Sequence, residues 1–247
     1  MGEFSGRTVL ITGAAGGFGR VLTSKLLEAG ANLVLGDLNE AALAELAASI
    51  PGRIAWVRCD VTVEGDQKAL VDLAVATFGR LDIAINNAGG TSPMKSFLDT
   101  TEQDLDWNFT LNAKSIFLGM KHQIAAMIAG GGGSIMNVAS VAGIAGAPKN
   151  LAYGAAKHAV VGMTRTAAVE FARSNVRVNA ICPYFSLTPL VTESNLIERK
   201  AQMEAAVPMK RLAEPEEVAS AILALVSPSN SYLTGQAVAV DGGLTAF

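Results

Sequence analysis

Apolar runs of strand length alternate with helix-period segments along almost the whole chain, and this alternation limits the available folds more than any other feature. The runs are RTVLIT, ANLVLGD, RIAWVRCD, LDIAINNAG, GSIMNVAS, VRVNAICP and GQAVAVDGG. Most are continuously apolar rather than alternating, which suits parallel strands covered on both faces. Between them lie RVLTSKLLEAG, NEAALAELAAS, EGDQKALVDLAVATFG, a long segment beginning TEQDLDWNF, the segment LAYGAAKHAVVGMTRTAAVEFAR, and PEEVASAILALVS. Gly30 is placed to end the first helix, Asn39 to cap the second, and Pro215 to open the last. Strand–helix alternation with short links predicts an α/β, doubly wound, seven-stranded parallel sheet with helices on both faces. No linker or repeat divides the 247 residues, so one domain over 1–247 is expected. Only 184–211 is irregular; it carries the amphipathic stretch LIERKAQMEAA and reads as a substrate loop.

Three groups of residues in this frame carry chemistry. Gly13, Gly17 and Gly19 lie between the first strand and its helix, in TGAAGGFG. Glycines there allow a tight turn and bring a pyrophosphate to backbone N–H groups at a helix N-terminus. The spacing is G-x-x-x-G-x-G rather than the commoner G-x-G-x-x-G. Asp37 ends the second strand, where a carboxylate accepts from ribose hydroxyls and repels a 2′-phosphate. No Lys or Arg falls between Gly13 and Gly19, so NAD is expected over NADP. Finally, Tyr153 and Lys157 are four apart on one helix face, with Ser140 in the loop after the fifth strand. A nearby ammonium favours a phenolate and makes the phenol a usable acid and base, so the three groups suit a carbonyl or alcohol oxygen.

Composition narrows the partners. Half the residues are apolar and the formal charge is −3, which gives no electrostatic reason to expect nucleic acid or an anionic membrane. Cys59 and Cys182 lie in apolar runs without metal or redox spacing and read as buried thiols, and no metal site is expected. His122 and His158 read as packing or surface residues. The polar start GEFSGR and the lack of a long apolar run lead to the expectation of a cytoplasmic protein.

Taken together, TGxxxGxG at Thr12–Gly19, Asp60–Val61, NNAG at Asn86–Gly89, Asn112, Ser140 and YxxxK at Tyr153–Lys157 follow one another in the order and spacing of a known family. Over essentially its whole length the chain resembles the short-chain dehydrogenases/reductases of the shorter, single-domain type. The resemblance implies a Rossmann-type fold and hydride transfer between nicotinamide and a carbon bearing oxygen. By position, Tyr153 is implied as the acid or base, with Lys157 lowering its pKa and binding the nicotinamide ribose. Ser140 is implied to hydrogen-bond the substrate oxygen, and Asn112 to hold a water in a proton relay. Asp60 and Val61 are implied at adenine, and Asn87, Ala88 and Gly89 in the floor of the cofactor site.

The chain departs from the family at Pro183-Tyr184-Phe185-Ser186-Leu187-Thr188, where PGxIxT is usual. Pro183 and Thr188 match and are expected beside the cofactor, whereas Tyr184 replaces Gly and Ser186 replaces Ile. Phe18 stands for the usual Ile in the glycine loop, a packing variation at a cofactor-site position. A mainly apolar pocket is expected from Met94, Ile144, Leu151, Tyr184, Phe185, Leu190, Met203 and Met209, with Lys95 and Lys149 as solvated charges and no basic cluster to hold a carboxylate. That pattern points to an NAD-dependent oxidoreductase interconverting a secondary alcohol and a ketone. A 3-oxoacyl-carrier-protein reductase using NADPH and a non-catalytic nucleotide-binding scaffold are the alternatives. Family members associate as dimers or tetramers through their long helices and last strand, which implies a homotetramer, with a dimer as the alternative.

Overall fold

A computed structural model describes residues 2–193 and 195–246. Ser194, in the expected substrate loop, and Phe247, in the apolar tail LTAF, lie outside the described residues. Seven parallel strands form one sheet in the order β3-β2-β1-β4-β5-β6-β7. They are β1 Thr8–Thr12, β2 Asn32–Asp37, β3 Ile54–Arg58, β4 Ile83–Asn86, β5 Gly133–Val138, β6 Val176–Pro183 and β7 Ala237–Val240. The helices are α1 Gly17–Glu28, α2 Glu40–Ser49, α3 Glu64–Phe78, α4 Glu102–Phe109, α5 Ser115–Ala129, α6 Leu151–Phe171, α7 Pro189–Thr192, α8 Lys200–Ala206 and α9 Pro215–Val226. The expected doubly wound, Rossmann-type fold is what forms.

Strand residues pointing to opposite faces feed two cores. Val9 and Ile11 pack with Leu22 and Leu26 of α1, Leu43 of α2 and Ile222 of α9. Leu10 faces the other way, toward Leu70 of α3, Ile116 and Met127 of α5, and Val160 of α6. This period-two division is what a parallel sheet sandwiched between helix layers requires. The outer strands differ from the expectation of cover on both faces: Trp56 of β3 is 37% exposed, and all four residues of β7 stay partly open. They are the sheet's edges, where the helix layers run out.

The local signals behave as their chemistry demands. Asn39 accepts from Ala42 N (3.1 Å) at the start of α2, and Thr101 and Asp104 form a capping box on α4. One element departs from expectation. The long helix beginning at Glu102 is interrupted by a π-helical turn, Thr110–Lys114, that contains Asn112. The order of strands reverses between β1 and β4, so the crevice at their carboxyl ends lies at the topological switch point. No described helix is long and apolar enough to cross a membrane, and no described cluster of His, Cys, Asp or Glu is arranged to hold a metal.

Candidate active site

At the switch point the ends of β1 and β4 are stitched together. The Thr12 hydroxyl accepts from the N–H groups of Asn87 and Ala88, both at 3.1 Å. Asn87 returns its amide to the Thr12 and Gly13 carbonyls at 3.0 and 2.9 Å. Gly13 has φ +64, and a Cβ there would come within 2.9 Å of Ala88 Cα, so the close approach of the two loops needs glycine. Thr12 lay inside the recognised motif, but its linking role is a tertiary one; a hydroxyl closing an otherwise apolar strand was the available signal.

Helix α1 begins at Gly17 with Gly16 as N-cap, no side-chain cap bond and no acidic residue in its first turn. Its N-terminus therefore keeps backbone donors and a positive dipole end for an anion. Gly19 is buried in that turn, and Phe18 packs against the core shared with α9, as a packing variation should. On one side Asp37 accepts from Ala15 N and Asn39 N, both at 2.9 Å, which fixes its carboxylate at the rim of the glycine loop. Asp60 accepts from Thr62 N (2.9 Å) and its hydroxyl (2.7 Å); these bonds hold its carboxyl below the usual range. Val61 is buried beside it. On the other side a Cβ at Gly17 would meet Thr188 Cβ at 2.7 Å, so the chain after Pro183 reaches the same loop. An uncapped helix start, a rim carboxylate and a glycine cradle fit a dinucleotide; the start of α1 would hold its pyrophosphate and Asp37 a ribose.

Deeper in the crevice, Lys157 is 4% exposed and donates to Val138 O at 2.8 Å. Burial depresses its pKa to about 8. Tyr153 lies one turn earlier, with the Lys157 ammonium 5.5 Å from its ring centroid. Burial raises the Tyr153 pKa above its ordinary value, and the nearby Ser140 hydroxyl draws it partly back. Ser140 Oγ also accepts from Ala142 N (3.2 Å) and lies 3.5 Å from the Pro183 carbonyl oxygen, linking the tyrosine to the β6 loop. Cys182, buried next to this group, has its pKa pushed up to about 11, and Cys59 to about 12; both remain protonated thiols.

Asn112 sits on the π-turn and is fully buried. Its amide accepts from Gly90 N (3.1 Å) and donates to Gly90 O (2.9 Å), clamping the loop after β4. The side chain is thus committed to positioning that loop. A Cβ on Gly89 would come within 2.9 Å of Asn112 Oδ1 and 3.6 Å of Lys157 Nζ, which places the NNAG loop, Asn112 and Lys157 at one point.

The expected apolar lining divides. Met203 is buried with Val191 and Leu212, against which Tyr184 and Phe185 pack, so it is a packing residue. Ile144 packs against the main core and Leu190 is half exposed. Tyr184 and Phe185 meet edge to face at 4.9 Å. Together with Met209, Val240 and others they border a pocket of about 100 Å³ that includes none of Ser140, Tyr153 and Lys157. Leu151 borders a separate, smaller crevice beside Lys95 and Lys149, and Lys95 is spent on Asp104 at 2.7 Å.

Comparison with known proteins agrees with this geometry. The family model described as "Enoyl-(Acyl carrier protein) reductase" matches residues 13–245. The chain is 40% identical over 253 residues to 2,5-dichloro-2,5-cyclohexadiene-1,4-diol dehydrogenase of Sphingobium indicum, covering 100% of both. It is 41% identical over 249 residues to cis-4-hydroxycyclohexanecarboxylate dehydrogenase of Sinomonas cyclohexanicum, again covering 100% of both. A solved short-chain type dehydrogenase/reductase from Mycobacterium marinum superposes with a TM-score of 0.93 at 33% identity, over 99% of this chain and 97% of that one. With the glycine loop, the NNAG floor and the Ser140–Tyr153–Lys157 group assembled at one switch point, the chain belongs to the short-chain dehydrogenase/reductase family, an oxidoreductase family that uses a nicotinamide dinucleotide.

Proposed function

We propose that this protein is an NAD-dependent dehydrogenase that interconverts a secondary alcohol on a small ring with its ketone. The convergence of the Ser140 hydroxyl on the Tyr153 phenol, with Lys157 one helical turn on, carries the reading. In it, Ser140 and Tyr153 hold the substrate oxygen between two hydroxyls. Tyr153 accepts the alcohol proton during oxidation and returns it during reduction. Lys157, fixed by Val138 O, would bind a ribose hydroxyl of the cofactor, and Asn112 holds the Gly90 loop in place. Bound nicotinamide supplies the hydride acceptor. Asp37 at the rim of the glycine loop favours NAD over NADP, because its carboxylate opposes a 2′-phosphate. The ring follows from the two relatives, whose names are those of dehydrogenases of six-membered-ring alcohols. The protein is taken to be a cytoplasmic homotetramer of one-domain chains.

The test is nicotinamide absorbance with cyclohexanol, cyclohexanediols, simple ketones and acetoacetyl thioesters, with NAD(H) and NADP(H) in parallel. Turnover of ring alcohols with NAD is the expected result. Thioester reduction with NADPH would replace the proposal by a 3-oxoacyl-carrier-protein reductase. Tyr153→Phe should lower turnover by about 10²–10⁴-fold while NADH binding persists. Retained turnover in that variant would remove Tyr153 from the proton transfer.

A further inference from the structure

Arg199 has no carboxylate partner among the described residues. Arg199 ends the short helical turn Asn195–Arg199 in the loop after β6 and is only partly exposed. Its side chain crosses to the opposite wall, where Nη1 lies 3.0 Å from the sulfur of Met94. Met94 belongs to the loop that continues from Gly90, the residue clamped by Asn112. On its own side of the mouth, Arg199 is close enough to Tyr184 to draw that phenol's pKa down against the rise caused by burial. Tyr184 directly follows Pro183, whose carbonyl contacts Ser140 Oγ. The guanidinium therefore spans the two loops that border the Ser140–Tyr153 group.

Its acceptors there are poor. A thioether is a weak acceptor, and the Gln202 amide oxygen is 3.4 Å from Nη2. Among the described residues no carboxylate lies within 4 Å of Arg199, whereas three neighbouring cations each have one and Lys210 bonds the Ala205 carbonyl oxygen at 2.7 Å. Lys200 has Glu204 at 2.5 Å, Lys95 has Asp104 at 2.7 Å and Arg211 has Glu217 at 2.6 Å. A half-buried guanidinium offers a planar fork matched to a carboxylate, and one left with soft or distant acceptors has donors to give a ligand.

We propose that Arg199 is the anchor for a carboxylate substituent on the ring substrate, so that the preferred substrate is an anionic hydroxy- or oxo-cycloalkane acid rather than a neutral alcohol. The proposal rests on the function inferred above for its reacting end. It is compatible with the expectation of a pocket without a basic cluster, since the cation is single and lies in the amphipathic stretch of the expected substrate loop.

Binding and turnover test the two readings separately. Calorimetric titration of the full chain, in the presence of NADH, would compare cyclohexanecarboxylate with cyclohexanecarboxamide, a neutral ligand of similar shape that cannot be oxidised at a carbinol. The acid should bind about tenfold or more tightly than the amide. In Arg199→Met that ratio should fall to about one, and Arg199→Lys should recover part of it, with circular dichroism confirming that both variants fold. Equal binding of acid and amide by the natural chain, no detectable acid binding, or a ratio unchanged in Arg199→Met would each overturn the anchor. Turnover of 4-hydroxycyclohexanecarboxylate and of cyclohexanol is followed alongside. Oxidation of cyclohexanol without an acid preference would sink the Arg199 proposal and leave the dehydrogenase reading standing. Arg199-dependent acid binding without oxidation of any ring alcohol would do the reverse.

Discussion

Lys157 shows how a functional position is held at a cost to the fold. Its ammonium is buried, makes one bond to Val138 O and is pushed to a pKa of about 8. Because the native pKa is lowered, the folded chain binds fewer protons than the unfolded chain between about pH 8 and the ordinary lysine value. Stability linked to this group therefore rises with pH across that window, and the penalty is complete below it. The penalty is on the order of 3 kcal/mol, at 1.36 kcal/mol for each unit of displacement. Replacing Lys157 by Met removes the buried charge and forfeits one hydrogen bond worth about 1 kcal/mol. Lys157→Met should thus melt about 5 °C higher at pH 7 in the absence of nicotinamide while losing turnover. The gain should shrink as pH rises from 8 toward 10.5 and turn into a small loss above it, where only the missing hydrogen bond counts. Thermal unfolding of both proteins across that range checks this; a gain independent of pH would mean that packing, not charge, is responsible.

At the scale of elements, the glycine loop and the chain after β6 are built against each other. Gly17 has ordinary backbone angles, so its requirement is one of space: a Cβ would stand 2.7 Å from both Cβ and Cγ2 of Thr188 and 3.1 Å from Pro189 Cδ. Thr188 is 8% exposed and its N–H is bonded to Ser186 O at 2.7 Å, so it has little room to yield. Gly17→Ala should separate the two segments and weaken NADH binding about tenfold with secondary structure intact, because phosphate contacts at a helix start depend on close backbone approach. A fluorescence titration of NADH reads this directly, and an unchanged dissociation constant would show that the loops are independent. Elements of this kind differ in how far they can be foreseen. The seven strands and the main helices were legible because each is a continuous apolar run or a capped helix-period segment, and Asn39, Thr101 and Asp104 act where their side chains predict. The π-turn was not, since TLNAK carries no residue that distinguishes it from ordinary helix. Nor was Arg199 legible, because its direction depends on Met94, 105 residues earlier in the chain. The positions of Ser140, Tyr153 and Lys157 could be read from spacing, whereas the balance of their charges depends on burial, which spacing does not encode.

Among the described residues, a helix face and a sheet edge leave apolar surface uncovered in the single chain. Along α4, the π-turn and α5, Leu105, Phe109, Phe117 and Ile128 recur at helical spacing and are each 37–51% exposed, with Val169 of α6 at 82% and Trp107 at 46%. Sheet edge β7 reads AVAV, partly open, without the charge or proline that usually protects an edge from pairing. Apolar helix faces and an unprotected edge both gain by pairing with a second copy, and two distinct self-complementary surfaces on one chain close into a tetramer with two-fold axes. Sedimentation of the natural chain should therefore give a species four times the chain mass. Phe117→Glu places a charge in the helix face and should halve that mass, leaving dimers held through β7. A monomeric natural chain would overturn the assembly. A tetramer unaffected by Phe117→Glu would move its contacts away from the α5 face, and with them the expectation that the long helices join the subunits.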